Sequence, residues 1–231
     1  MPVLSPPFSR YDQKLEFILR TAARIFAEKN YHSTTMRDIS RATKVSLSGL
    51  YHYCKSKEEL LFLIQDNCFG RVLERLEQRL AGVQEPEQKL RIFIENHLAF
   101  FAANMAEMKV LSHEADSLGR ELQRQVSGKK EKYTKLARRV LSEVQQQKPK
   151  AETHIDLTVA TYALFGMMNW IYNWYDPRGK LSVTDLVDNV MRLYLGGFLS
   201  EARGRRNYPA SGVSAGNERL SVWRQAGKKT A

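Results

Sequence analysis

The stretch that decides the fold is ILRTAARIFAEKNYHSTTMRDISRATKVSLSGLYHYCKSKEELL, residues 18–61. Its apolar residues recur at the spacing of amphipathic helices, and turn-forming breaks separate the repeats. The pattern predicts two short helices, over residues 35–43 and 46–53, joined by a tight turn. A long helix is expected to follow from Lys57.

Helix-starting residues mark the three expected starts. Thr35 with Asp38 forms a capping-box pattern, and Ser46 is placed to cap the second short helix. The run from Ser56 to Glu59 has the pattern of a full capping box. Three closely spaced starts predict a compact group of helices.

The helical pattern continues on both sides of this stretch. An amphipathic first helix is expected from Gln13, and no convincing strand pair occurs. The sequence therefore predicts an all-α fold of about nine helices. The later helices are expected at about 57–80, from residue 86 to beyond 101, a short one before Gly119, 120–147, 155–174 and 181–202.

The segment 155–174 differs from the other helices because its apolar residues cover nearly the whole circumference. Such a helix has to be buried on all sides. In a chain of 231 residues, one face can pack on its own domain and the other on a partner subunit. The segment therefore predicts a dimer interface.

The net charge of +11 is unevenly placed. Residues 1–55 carry a net charge of +5 and residues 203–231 a net charge of +6, while the stretch between them is neutral. A basic head indicates an anionic partner. The two cysteines cannot form a disulfide framework, and neither a leader sequence nor a membrane span is visible, so we expect a cytoplasmic protein without membrane contact.

A short helix, a tight turn and a second short helix are the parts of a helix-turn-helix, whose second helix enters the major groove of DNA. Residues 18–61 resemble the tetracycline-repressor (TetR) family throughout their length. The resemblance implies a three-helix DNA-binding head and a helical ligand-binding and dimerisation domain. Cys54 departs from it, because the family usually has an aromatic core residue there.

The resemblance implies a DNA-binding face in the head. Its expected members are Thr35, Arg37, Ser46, Leu47, Ser48, Gly49, Tyr51, His52, Tyr53 and Lys57. Hydroxyl and ammonium groups bind phosphate oxygens well, so the expected phosphate contacts are Thr35, Tyr51, Tyr53 and Lys57. The expected base-reading residues are Leu47, Ser48 and His52. Gly49 is expected to permit close approach of the backbone.

Four regions follow from these assignments. Residues 1–12 are expected to form a flexible arm and residues 13–56 the helix-turn-helix domain. Residues 57–203 are expected to bind ligand and dimerise, and residues 204–231 to form a basic, disordered tail. The tail has two interpretations, a solubilising extension and a second DNA-binding arm.

A weaker resemblance concerns the effector. The stretches MKVLSHEADSL, residues 108–118, and FGMMNWIYNWYDPRGKLS, residues 165–182, are similar to a TetR subgroup that responds to acyl-CoA thioesters. The resemblance implies an acyl site built from Phe100, Phe101, Leu111, Leu164, Phe165 and Met168, with His113, Asn169 and Tyr172 as polar partners. The anionic groups of CoA would then need a basic side chain nearby, which could be that of Arg120, Arg124, Lys129 or Arg139. Asn169 and Trp170 have an alternative place in the dimer interface.

The sequence thus predicts a homodimeric repressor that binds palindromic operator DNA and is released by a small molecule. No resident cofactor and no metal site are expected, since the five histidines are scattered. Two alternatives stay open: a constitutive DNA-binding or scaffold protein of the same fold, and an enzyme of acyl-CoA metabolism. The enzyme would need a nucleophile or general base that the sequence does not offer.

Overall fold

The computed structural model describes residues 9–114, 116–147 and 155–198, with side chains given as far as Gly196. Within these residues the chain is all-helical, which confirms the predicted fold class. The α-helices are α1 Arg10–Lys29, α2 Met36–Thr43, α3 Leu47–Tyr51, α4 Lys57–Leu80, α5 Pro86–Ala102, α6 Met105–His113, α7 Arg120–Gln146, α8 Leu157–Asn169 and α9 Val183–Phe198. A short 3-10 helix, Trp170–Asn173, follows α8.

Helix α1 begins three residues before the predicted start at Gln13. The Ser9 hydroxyl accepts the backbone N–H of Asp12 at 3.1 Å, and the Asp12 carboxylate accepts the backbone N–H of Ser9 at 3.1 Å. This reciprocal capping box satisfies two backbone donors that the first turn leaves unpaired. Residues 10–12 of the expected flexible arm therefore belong to a helix.

The turn between α2 and α3 is fixed by side chains of α2. Ser40 donates its hydroxyl to the carbonyl of Val45 at 2.6 Å, and Thr43 donates to the carbonyl of Ile39 at 2.7 Å. Lys44 adopts a left-handed backbone with φ of 54°, which ends α2 and turns the chain toward α3. The predicted caps at Thr35 and Ser46 are both confirmed.

Helix α4 starts and ends where the sequence predicts, but its first cap differs in detail. The Ser56 hydroxyl accepts the N–H of Glu59 at 3.0 Å. The Glu59 carboxylate accepts from the backbone N–H of Lys55 rather than that of Ser56, so the predicted full capping box is only half formed. Gly82, with φ of 79°, follows the end of the helix.

The predicted helix over residues 155–174 is shorter than expected, because α8 ends at Asn169 and the chain tightens into the 3-10 helix. The last helix begins at Val183, where Ser182 and Asp185 form a capping box. The expected extension of this helix to residue 202, and the basic tail at 204–231, lie outside the described residues.

Two apolar cores share α4. The first core joins α1, α2, α3 and the start of α4, and it reaches Val110 of α6 and Val126 of α7. The second joins the rest of α4 with α5, α7, α8 and α9. Cys54 is a buried member of the first core, so the unusual residue at this position is packed. Helix α4 therefore links the helix-turn-helix to the body.

Candidate functional site

The predicted DNA-binding residues lie on α2, on α3, in the loops around them and at the start of α4. Those with exposed side chains are Thr35, Arg37, Ser46, Ser48, Tyr51 and His52. Leu47, Gly49, Tyr53 and Lys57 are half-buried. Tyr51 is a large aromatic residue, but half of its surface is exposed. The structure thus exposes six of the ten predicted residues and leaves the other four half-buried.

Gly49 is required by packing inside the protein. A Cβ atom there would lie 2.9 Å from Cγ1 of Val45 and 3.1 Å from Oγ of Ser46. Ser46 Oγ also accepts the backbone N–H of Gly49 at 3.1 Å and lies 3.1 Å from the hydroxyl of Ser48. The glycine lets α3 close over its own cap, a reason for this residue that the sequence prediction did not include.

Tyr53, a predicted phosphate contact, packs against the first helix. Its ring stacks on that of Tyr11, with centroids 4.8 Å apart and planes 26° apart. Its side chain is half-buried, so the hydroxyl end is the part available to a phosphate. The contact fixes the end of α3 against the start of α1.

Lys57, another predicted phosphate contact, has a structural task. Its Nζ lies 2.9 Å from the carbonyl oxygens of Tyr31 and Thr34 and 3.3 Å from that of His32. The ammonium also lies 4.4 Å from the centre of the Tyr31 ring. An ammonium group has three donors, and all three are used here. Lys57 therefore ties α4 to the loop between α1 and α2.

A cavity of about 470 Å³ opens in the body between α4, α5, α6, α7, α8 and the 3-10 helix. This volume lies in the range of small-molecule sites. Five of the predicted ligand-binding residues line it: Phe101, Leu111, Phe165, Asn169 and Tyr172. The structure thus gathers these five residues around one space.

The other six predicted ligand-binding residues do not line this cavity. Leu164 and Met168 are fully buried in the core, because they lie about 100° around α8 from Phe165 and Asn169. Phe100 is buried beside α1, and His113 is exposed, with its ring 5.6 Å from that of Tyr172. The last two are Arg120 and Arg124, at the start of α7.

The predicted arginines lie away from the cavity, and another cation takes their place. Arg124 pairs with Glu121 at 3.4 Å on the exposed surface, and Lys129 pairs with Asp66. Arg139 lines a separate space beside α5. The cation at the main cavity is Lys130, which forms no ion pair with any described residue.

Sequence reasoning missed several other lining residues. The polar ones are His97, Ser112, Lys130, Tyr133 and Thr134, and the apolar ones include Phe69, Val72, Met108, Tyr162 and Trp170. Helical periodicity indicates that His97 and Tyr133 are inward-facing, but it cannot distinguish a packed core from a cavity wall. No local signal would have identified them.

His97 and Tyr133 form a buried polar pair in the cavity wall. Nδ1 of His97 lies 3.2 Å from the hydroxyl of Tyr133. Burial lowers the pKa of His97 to about 3, although the nearby Asn169 side chain acts in the opposite direction. Burial also raises the pKa of Tyr133. Both side chains are therefore neutral at physiological pH.

The neutral state of His97 predicts a pH-dependent stability. Because the folded pKa of about 3 lies below the unfolded value, the unfolded chain binds a proton first as the pH falls. Stability due to this group is present above about pH 6.5 and is lost below it, at about 1.4 kcal/mol per pH unit. Between about pH 6.5 and about pH 5 the loss is about 2 kcal/mol.

The measurement is urea unfolding of the parent protein and His97→Gln at several pH values. Between about pH 6.5 and about pH 5, we expect the unfolding free energy of the parent to fall by about 2 kcal/mol more than that of His97→Gln. Parallel pH profiles for the two proteins would contradict a buried, neutral His97.

Contacts between the head and the body converge on the end of α6. The Gln65 side chain of α4 donates to the carbonyl of Glu114 at 3.0 Å. The Glu114 carboxylate accepts the backbone N–H of Tyr31, in the loop after α1, at 3.4 Å. The Glu58 carboxylate of α4 accepts the backbone N–H of Gly119, which precedes α7, at 2.7 Å. Cavity-lining Leu111 lies one helical turn before Glu114.

The last helices carry an unusual exposed apolar surface. Its large members are Val159, Tyr162, Trp170, Trp174 and Leu193. Each has more than half of its surface exposed, and Leu193 reaches 70%. We call these five residues the apolar face. Exposed apolar surface of this kind is typical of interaction sites.

A helix-turn-helix joined through α4 to a helical body with a cavity defines the class of DNA-binding regulators with a ligand-binding domain. The chain belongs to the TetR family. Residues 18–64 match the family described as bacterial regulatory proteins, tetR family. Residues 83–198 match the tetracyclin repressor-like, C-terminal domain. The resemblance predicted from residues 18–61 is thereby confirmed.

Relatives with curated names are transcription regulators. The chain is 25% identical over 206 residues to the HTH-type transcriptional repressor KstR2 of Mycolicibacterium smegmatis, covering 88% of this chain and 97% of the relative. It is 23% identical over 181 residues to the fatty acid metabolism regulator protein of Bacillus subtilis, covering 78% of this chain and 93% of the relative.

Solved structures show the same architecture. AibR, in complex with isovaleryl coenzyme A and operator DNA, is 28% identical with a TM-score of 0.69, covering 78% of this chain and 97% of AibR. A TetR-family regulator from Bordetella parapertussis is 29% identical with a TM-score of 0.74, covering 82% of this chain and 97% of that protein.

In the described part of the chain, no helix combines the length and the apolar character needed to cross a membrane. Among the same residues, His, Cys, Asp and Glu side chains do not assemble into a group of three that could hold a metal ion.

Proposed function

We propose that this protein is a homodimeric repressor that binds a palindromic operator and is released by an acyl-CoA thioester. The observation that carries the proposal is the cavity of about 470 Å³ in the body of a helix-turn-helix protein. The effector class is supported by AibR, whose structure holds isovaleryl coenzyme A and operator DNA. Regulation of fatty acid metabolism by the Bacillus subtilis relative agrees with it.

On the DNA side, the exposed residues of the head divide into two groups. Thr35 and Tyr51 present hydroxyls to phosphates, which fix the position of the head on the duplex. Ser48 and His52 are exposed on and after α3, where they can reach base edges in the major groove. The proposal assigns base reading to these two side chains, together with Leu47.

Palindromic recognition requires two heads about 34 Å apart, which a two-fold dimer supplies. The apolar face on α8, the 3-10 helix and α9 is exposed in the single chain. Three of its five residues are aromatic, and aromatic residues are enriched in protein interfaces. A second copy of this chain is therefore its proposed partner. This interface is the partner surface that the uniformly apolar segment 155–174 predicts.

The cavity divides the proposed ligand into an apolar and a polar part. Phe101, Leu111 and Phe165 give the main cavity an apolar lining suited to an acyl chain. A second space of about 250 Å³ adjoins it and shares Phe69, Leu111 and Lys130; its lining mixes apolar side chains with polar ones, which include Gln123 and the acidic Asp116. Lys130, between the two, is the proposed anchor for the thioester end and its anionic extension.

Ligand binding can reach the head through the end of α6. A ligand that moves Leu111 also moves Glu114, whose contacts with Gln65 and Tyr31 join α6 to the helix-turn-helix. The two heads then take a spacing that no longer fits successive major grooves. The loss of operator affinity equals the ratio of ligand affinities for the two spacings.

The test is fluorescence anisotropy with DNA from upstream of the gene, titrated with a series of acyl-CoA thioesters. We expect specific binding to a palindrome and release by part of the series. In Lys130→Met, the thioester concentration needed for release should rise about tenfold, because one charged contact is worth about 1.4 kcal/mol.

Arg124→Met is the matched control, since Arg124 was predicted from sequence to hold the CoA group but lies on the exposed surface. It should release like the parent. Binding that no thioester weakens would contradict the effector class. A shift caused by Arg124→Met and not by Lys130→Met would return the anchor to the start of α7.

A further inference from the structure

The inner wall of the main cavity carries one polar atom without a normal partner. His97 is 2% exposed, and its ring lies 4.7 Å from the Phe101 ring and 6.0 Å from the Phe165 ring. Nε2 is shielded from solvent and makes no hydrogen bond of normal geometry with the residues the structure describes. An unpaired buried polar atom is costly, so a binding partner at this position contributes affinity.

Besides Tyr133, the polar side chain of the cavity wall that acts on His97 is that of Asn169, at the end of α8. It lies close enough to favour the charged form of His97, but it does not complete a hydrogen bond to Nε2. Asn169 is otherwise exposed and lines the cavity. A rotation of this amide opens Nε2 to a bound molecule and brings a second hydrogen-bonding group beside it.

The contact with Tyr133 limits what the missing partner can be. If Tyr133 donates its proton to Nδ1, then Nε2 carries the hydrogen and needs an acceptor. If Nδ1 donates to Tyr133, then Nε2 carries a lone pair and needs a hydrogen-bond donor. A hydroxyl satisfies either form, and a methylene satisfies neither. Because His97 is held neutral, this wall does not favour a carboxylate.

Resting on the proposed effector function, we infer that the effector is a hydroxylated acyl-CoA, whose acyl hydroxyl is bound jointly by His97 Nε2 and the Asn169 amide. The surrounding aromatic rings hold the hydrocarbon part of the chain. A site built to hydrogen-bond a hydroxyl rejects the analogue that lacks it, because its own polar groups are then left unpaired. The inferred site therefore selects by oxygen content as well as by chain length.

The test compares pairs of acyl-CoA thioesters with the same carbon chain, with and without a hydroxyl at the second, third or terminal carbon. Dissociation constants are measured by isothermal titration calorimetry with the full chain. We expect one hydroxyl position to bind about tenfold more tightly than its unsubstituted partner. In His97→Phe, which keeps an aromatic ring in the wall, this preference should vanish.

Asn169→Leu provides a second variant at a side chain that is exposed in the single chain, and it should reduce the preference severalfold. His113→Phe is the control, because His113 is exposed and does not line the main cavity, and it should leave the preference intact. Equal binding within every pair by the parent protein overturns the inference while the effector proposal stands. Failure of every thioester, hydroxylated or not, overturns both.

Discussion

Leu193→Asp is expected to convert the protein to a monomer and to weaken operator binding by about 100-fold or more. In a two-fold interface the same patch of both copies meets, so the substitution places a carboxylate in each half of the apolar face. A single head retains only half of the DNA contacts, and linking two heads raises apparent affinity by about two to four orders of magnitude. Leu193 is 70% exposed in the single chain, so the fold should persist.

The measurements are sedimentation velocity for the oligomeric state and anisotropy for operator affinity, with circular dichroism to confirm the helices. Leu193→Met is the matched control, since it keeps an apolar side chain, and it should remain a dimer. A Leu193→Asp protein that sediments as the parent dimer would place the interface elsewhere. A monomer that binds the operator with parental affinity would refute the requirement for two heads.

Lys57→Met is expected to lower the free energy of unfolding by about 3 kcal/mol, because it removes three charge-assisted hydrogen bonds and leaves partly buried carbonyls without donors. Methionine keeps most of the length of the side chain, so the loss reports the ammonium group. Urea unfolding provides the measurement. The contact with the Tyr31 ring is lost as well.

Salt dependence separates this structural task from the predicted phosphate contact. A lysine that neutralises a phosphate contributes about one unit to the slope of log affinity against log salt. We expect Lys57→Met to leave that slope unchanged under conditions where it is folded. Lys55→Met is the matched control, since Lys55 is exposed and its side chain holds no carbonyl. A stable Lys57→Met with a reduced slope would restore the phosphate role.

Local chemistry explains why the helix boundaries of the head could be predicted. Thr35 and Ser46 each accept a backbone N–H three residues further on, and such contacts depend only on neighbouring residues. Pro86 at the start of α5 is also a local signal, because proline is favoured at the first position of a helix. The prediction was inaccurate at two places: Ser9 caps α1 before the expected start at Gln13, and Glu59 accepts from the backbone N–H of Lys55 rather than from that of Ser56.

The cavity could not be predicted in the same way, because its lining depends on how helices are rotated and placed. On α8, Phe165 and Leu164 are adjacent in sequence and both apolar, but only Phe165 faces the cavity. On α7, Arg124 and Lys130 are both basic, but they lie about 9 Å apart along the helix axis. Lys57 presents a similar case, since its partners lie 23 to 26 residues earlier.

Tyr162 and Trp170 belong both to the wall of the main cavity and to the apolar face. In the proposed dimer, filling one cavity therefore presses on side chains that the other subunit also touches. The two sites are then coupled, and occupation of the first changes the affinity of the second. Release from DNA would follow a curve steeper or shallower than a simple hyperbola, with a Hill coefficient that differs from unity.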